Sequence, residues 1–236
     1  MDKKNIVIKI GGSLLFRRNK EINSQKIEEL CNIIKNKKYY DSIVIVVGGG
    51  LIAREYIHFI RIHTKNESLA DLLGIQVSRI NAQLFVSYLK ELAYPLIPKT
   101  IEDFSIAHLS HRIIIMGGIQ PGQSTTSVAL EIAEYIQAEQ VVILTDVEGI
   151  YNKDPNQFKD AKLLKKLNKL DLSHILFKNT DETQASAGEY RIFDAVSLQI
   201  LKRSNIEVHV GSGKDLSKFK DFWEGKIKNI GTLISD

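Results

Sequence analysis

Five short runs of the chain are apolar without alternation: residues 5–10 (NIVIKI), 42–47 (SIVIVV), 112–116 (RIIIM), 140–145 (QVVILT) and 206–210 (IEVHV). Each is rich in β-branched residues and bounded by turn residues, the pattern of a strand covered on both faces. Between them, apolar residues recur every three or four positions, as Val128, Ala129, Ile132, Ala133 and Ile136 do in SVALEIAEYI, and these stretches read as helices. Non-alternating strands separated by helices predict an α/β fold with a central, mainly parallel sheet sandwiched by helices. No Pro/Ser-rich linker, low-complexity segment or internal repeat interrupts the 236 residues, so a single domain over 1–236, with two lobes around one sheet, is expected.

Ligands of open α/β sheets sit beyond the carboxyl ends of the strands, and the unusual residues gather there. GGSLL follows the first strand, GGGLIARE the second, GGIQPGQSTT the third and TDVEGIYNKDP the fourth. One glycine suffices for a turn, so glycine pairs after three successive strands imply backbone that approaches something closely. The third loop opens a helix and places Ser124, Thr125 and Thr126 where an N-cap belongs. The unpaired N–H groups of a first helical turn favour an anion, and a phosphate is the leading candidate.

Residues 117–124 come within one position of the P-loop pattern GxxxxGK[ST], with Gln123 where the lysine belongs. A neutral amide cannot supply that charge, which also weakens Asp146 of VVILTD as a P-loop magnesium ligand. The dinucleotide fingerprint GxGxxG is absent. Positive charge must therefore come from elsewhere. Lys9 lies inside the first strand, immediately before a glycine turn, where an ammonium is costly unless it snorkels or is paired; it is the first catalytic candidate. Arg54 follows GGG by one helical turn and can lean toward the same cleft, its alternative being a surface ion pair.

Composition narrows the partners. Lys and Arg number 32 against 28 Asp and Glu, a formal charge of +4 that is too small to argue for nucleic acid. The single cysteine, Cys31 in IEELCNII, excludes an internal disulfide and reads as a buried, inert thiol in a reducing compartment. No apolar run approaches the ~20 residues that span a bilayer, and a cytoplasmic location is expected. The lysine runs KNKK and LLKKLNKL read as solvated faces. None of the six histidines forms a metal-ligating cluster, and His108 with His111 reads as a loop or helix-end feature. No protein-held metal is expected.

Taken in order, IVIKIGGSLL, VVGGGLIAREYI, DLLGIQVSRINAQL, MGGIQPGQST and LTDVEGIYNKDP, followed by AGEYRIFDAVSLQILKRSNI, span nearly the whole chain. Together they resemble the amino acid kinase family, and within it the archaeal branch that takes UMP as acceptor. The resemblance implies Mg2+-dependent transfer of the ATP γ-phosphoryl group to UMP, giving UDP and ADP, in pyrimidine nucleotide (CTP) biosynthesis. It implies an N-terminal lobe for the acceptor, a C-terminal lobe for ATP, and a homohexamer built as a trimer of dimers. Lys9, Ile10, Gly11, Gly12, Ser13, Gly50, Arg54, Thr145, Asp146, Tyr151 and Asp154 would serve ATP, with Lys9 bridging toward the transferred group and Tyr151 packing on the adenine. Gly49, Asp71, Ile119, Gln120, Pro121, Gly122, Gln123, Ser124 and Thr125 would hold UMP, Asp71 through ribose hydroxyls.

The local pattern around Asp71 agrees with a groove. Leu69, Leu72, Leu73, Val77, Ile80 and Leu84 form the apolar face of its helix, whereas Asp71, Gly74, Ser78 and Asn81 share a face of small or polar residues. Two departures from the family stand out: Thr126 where many relatives carry aspartate, and Asp146 where archaeal relatives often carry asparagine. Competing readings are a sister enzyme such as an isopentenyl phosphate kinase, or a non-catalytic nucleotide or oxoanion storage or regulatory protein. The first usually shows GGGSFGH in the second loop and a helix histidine near the acceptor; this chain has GGGLIARE, with His58 and His63 as the nearest candidates.

Overall fold

The computed structural model describes residues 4–36, 39–153, 155, 158–178 and 192–236. In chain order the elements are β1 (Asn5–Ile10), α1 (Ser24–Lys35), β2 (Ser42–Val47), α2 (Gly50–Thr64), α3 (Glu67–Leu89), α4 (Ile101–Ser110), β3 (Ile113–Met116), α5 (Thr125–Tyr135), β4 (Gln140–Thr145), β5 (Lys166–Leu167), α6 (Lys169–Lys178), α7 (Ala195–Arg203), β6 (Glu207–Ser212), α8 (Ser217–Trp223) and β7 (Thr232–Ile234). One seven-stranded sheet in the order β3-β2-β1-β4-β6-β7-β5 forms the centre. Every pairing is parallel except that of β6 with β7. Ile10 pairs with Val47 and Leu144, and Val46 with Met116, so the first four expected strands end at one edge and release their loops side by side.

The sheet is buried on both faces, which is why its strands read as continuous apolar runs. Val7, Val44, Val46, Ile114, Met116, Val141 and Ile143 point to one side and pack under α5 and α7. Ile6, Ile8, Ile10, Ile43, Ile45, Ile115, Val142 and Leu144 point to the other, under α1, α3 and α8. Each such side chain contributes about 1.5–3 kcal/mol on burial. Cys31 sits in the second core, and burial pushes its thiol up to about 12, as befits an inert residue.

Three expectations need correction. The five expected strands become seven: β7 and the edge strand β5 have three and two residues, too few for any periodicity to register. Lys169, within LLKKLNKL, is not solvated: its ammonium is buried and donates to the Ser204 carbonyl and to Asp236, each at 2.6 Å. Along α3 the expected apolar stripe is a core face only in part: Val77 is buried and Leu84 packs against the core. Leu69, Leu72 and Ile80 are exposed, Ile80 by 66%, while Ala70, Ile75, Ala82, Phe85 and Leu89 are buried together with the polar Ser78 and Asn81. Two neighbouring loops draw that polar edge inward.

The glycine loops also owe part of their composition to one another. A Cβ on Gly12 would lie 2.2 Å from the Gly50 nitrogen, and one on Gly50, whose φ is +68°, would lie 2.3 Å from the Gly12 carbonyl oxygen. Gly122 has a φ of +75° but opens onto free space. Gly12→Ala and Gly50→Ala are therefore expected to cost more than about 3 kcal/mol each through backbone displacement, and Gly122→Ala only about 1–2 kcal/mol of conformational strain. Urea midpoints of the three variants check this ranking; equal losses would show that the two loops do not lock together.

Candidate active site

The paired glycine loops leave the sheet without a break in hydrogen bonding. The Gly11 N–H donates to the Leu144 carbonyl at 2.8 Å and the Gly48 N–H to the Ile10 carbonyl at 2.9 Å, so both loops continue the strand ladder. A cleft of about 440 Å3 opens above them. Its lining includes Lys9, Gly11, Gly12, Ser13, Gly49, Gly50, Arg54 and Thr145 together with Asp71, Gly122, Gln123, Ser124 and Thr125. Residues expected at opposite ends of two substrates thus meet at one site.

The remaining candidates lie elsewhere. The Ile10 side chain is wholly buried in the core, leaving only its backbone at the cleft edge. Ile119 packs against the core, and Gln120 and Pro121 are exposed on the outer arc of their loop. Asp146 acts on Lys9 electrostatically. Tyr151 makes an isolated bridge with Leu163 beyond β4. Asp154 lies outside the described residues. His58 and His63 are exposed on α2, and His108 stacks on Phe104 inside α4.

Helix α3 holds the loops in place. Asn81 Nδ2 donates to the carbonyls of Gly48 and Gly49 at 2.9 and 3.0 Å. Ser78 Oγ accepts the Gly118 N–H at 2.7 Å while donating to the Ile75 carbonyl. Arg79 closes on the same loop, its Nε donating to the Gly118 carbonyl at 2.9 Å and its Nη2 to the Ile119 carbonyl at 3.1 Å. Asp71 Oδ2 accepts the Gly122 N–H at 2.7 Å. Buried polar groups are tolerated here because each is hydrogen-bonded. The small-polar face of α3 marked Ser78 and Asn81 in advance; Arg79 carries no such mark, since nothing in its spacing separates it from a surface arginine.

At the start of α5, Ser124 is the N-cap and its Oγ accepts the Ser127 N–H at 3.1 Å, one position of the three that the sequence offered. The Gln123 amide donates to Glu131 at 2.7 Å. Beside them Asp194, the N-cap of α7, also lines the cleft; it was not singled out because its neighbours read as an ordinary helix start.

The electrostatics centre on Lys9. Burial lowers its pKa from 10.5 to about 8, with Asp146 opposing the shift. The ammonium is therefore largely protonated at neutral pH yet poorly solvated, and an anion entering the cleft would relieve it. Among the described residues no three His, Cys, Asp or Glu side chains cluster as metal ligands, and no helix is long and apolar enough to cross a membrane.

Glycine loops at the carboxyl edge of a parallel sheet, a half-buried lysine and a capped helix start define a phosphate-handling α/β protein of the kinase type. The chain belongs to the amino acid kinase family, whose model matches residues 4–212. It is 40% identical to the uridylate kinase of Sulfolobus acidocaldarius over 229 residues, covering 97% of this chain and 98% of that one. The same identity and coverage hold for the uridylate kinase of Methanobrevibacter smithii. The solved structure of uridylate kinase from Archaeoglobus fulgidus superimposes with a TM-score of 0.80 at 29% identity, over 98% of this chain and 100% of that one.

Holding Lys9 charged in the cleft has a cost that depends on pH. Between about pH 8 and 10.5 the unfolded chain binds the proton and the folded one does not, so stability rises with pH through that window. Below it, the penalty is on the order of 1–3 kcal/mol, reduced from its full value by water in the cleft. Lys9→Met is expected to raise Tm at pH 7, with the gain fading toward pH 10.5. Thermal melts across that range check it; a Tm equal to wild type at pH 7 would mean the amine is well solvated.

Proposed function

We propose that the chain is a UMP kinase: it transfers the γ-phosphoryl group of Mg·ATP to UMP, giving UDP and ADP, a step toward CTP. The reading is carried by one observation, the convergence on a single cleft of Lys9 and the first two glycine loops with the third loop and the start of α5. The full-length likeness to uridylate kinases supports the choice of acceptor.

In this reading the first two loops, Lys9, Ser13, Arg54 and Thr145 face ATP, whose adenine lies toward Asp146 and Tyr151. The third loop, with Asp71 and Gly49, faces UMP. The acceptor phosphate has a second pKa near ~6, so its oxygen is already ionised at neutral pH and no general base is required. That oxygen attacks the γ-phosphorus in line; the bond to the bridging oxygen breaks and ADP leaves. Lys9 neutralises charge on the transferred group, and first-turn N–H groups of α5 hold the acceptor phosphate. A magnesium ion fits this donor set, because it is ordinarily bound by substrate phosphates and water with one or two carboxylates. Asp146, whose charge acts on Lys9, would be one carboxylate toward it, and the ion would supply further charge neutralisation when bound.

The exposed side of α3 supports self-association. Leu69, Leu72 and Ile80 are exposed there. Such a face favours a second copy over water, in keeping with a homohexamer of three dimers in the cytoplasm.

Two experiments test these statements. Lys9→Ala should lower kcat for UDP formation by roughly a hundred- to thousandfold, the loss typical of one charge-stabilising donor; near-normal turnover would remove Lys9 from the mechanism. Leu72→Asp with Ile80→Asp should yield a smaller species in sedimentation velocity, whereas an unchanged sedimentation coefficient would exclude this face as a contact.

A further inference from the structure

Two helices begin beside the cleft, and one carboxylate joins them. Asp194 caps α7: its Oδ1 accepts the Ser197 N–H at 2.7 Å, and the Ser197 hydroxyl lies 2.8 Å from the Asp194 N–H in a reciprocal capping box. That arrangement is sufficient for α7. Helix α5 is likewise capped by its own Ser124. Asp194 nevertheless makes two further bonds, neither required by either cap. Its Oδ2 accepts the Ser124 N–H at 2.8 Å, and its Oδ1 accepts the Ser127 hydroxyl in a short contact.

We propose that Asp194 is a positioning residue for the acceptor phosphate, tying the first turn of α5 to that of α7 so that the remaining α5 N–H groups stand ready for the anion. The inference rests on the acceptor reading above. Thr125 and Thr126 line the cleft, and their N–H groups take no part in the Asp194 bonds. Burial by itself would raise the Asp194 carboxyl, but the hydrogen bonds from Ser127, Ser197 and Ser124 outweigh it and hold it below its ordinary value. The group is an ionised, acceptor-only fixture at neutral pH. It orients Ser127 as a donor and places a fixed negative charge between two helix N-termini.

Asp194→Asn separates the tie from the cap. Asparagine caps a helix as well as aspartate does, but its one acceptor oxygen cannot serve both Ser197 and Ser124 from opposite sides. In the full-length protein, amide exchange at Ser124, Ser127 and Val128 is expected to quicken by about tenfold or more, with the α7 amides unchanged. Calorimetry should show UMP binding weakened by roughly 10- to 100-fold and ATP binding within about twofold of wild type. Ser127→Ala, which leaves the α7 cap intact, should weaken UMP binding in the same direction. Ser197→Ala, which loosens the cap alone, should leave UMP binding within about twofold. Unchanged exchange or unchanged UMP affinity in Asp194→Asn would overturn the proposal, as would equal losses for both nucleotides or a matching UMP loss in Ser197→Ala. Failure of the wild-type protein to bind UMP would overturn the acceptor reading instead, and the exchange comparison would still decide whether Asp194 holds α5.

Discussion

Everything at the cleft depends on the polar edge of α3. Loops of two or three glycines have little reason to adopt one conformation, since glycine loses more backbone freedom on ordering than any other residue. Here Asn81, Ser78, Arg79 and Asp71 make successive hydrogen bonds to the second and third loops, from Gly48 to Gly122. The first loop is locked in turn by its backbone contact with Gly50. A net hydrogen bond of this kind contributes about 1 kcal/mol. Several acting along one rigid helix give a preorganised floor without any loop being rigid by itself. The arrangement also explains why a helix that looks leucine-faced turns its small and polar residues inward.

On that floor the sheet places a single uncomfortable charge. Lys9 occupies a half-buried strand position flanked by β2 and β4, and burial holds its amine below an ordinary lysine, at about 8. Within the protein alone this is destabilising. In the proposed reaction, where Lys9 meets a phosphoryl group that gathers negative charge during transfer, the same desolvation would strengthen the interaction, because charges already fixed in place need no reorganisation as the reaction proceeds. Stability and activity are therefore opposed at one residue, a trade-off expected where charge is held ready for a ligand.

Much of this was legible in the chain. The five long strands lie within two residues of their expected ends because β-branched runs buried on both faces leave no polar interruption. Lys9, the glycine loops and the Ser124 region were marked by chemistry unusual for their element, and the cleft joins them. What sequence could not supply falls into two kinds. The strands β5 and β7 are too short to carry a period and exist only through their neighbours. Residues that act by holding another residue, such as Arg79 on the Gly118 carbonyl and Asp194 on Ser124, look in isolation like a surface cation and a helix cap. Lys169 shows the same limit in reverse, a lysine in a solvated-looking run whose ammonium is buried against Asp236.

The most direct test is the identity of the acceptor. Purified protein with Mg·ATP should be offered UMP, CMP, dUMP, isopentenyl phosphate, glutamate and carbamate separately, with ADP release and the phosphorylated product both measured. Rapid turnover with UMP and formation of UDP is the expected result. Turnover confined to another acceptor, or ATP binding without turnover on any of them, would contradict the assignment of the third glycine loop to UMP.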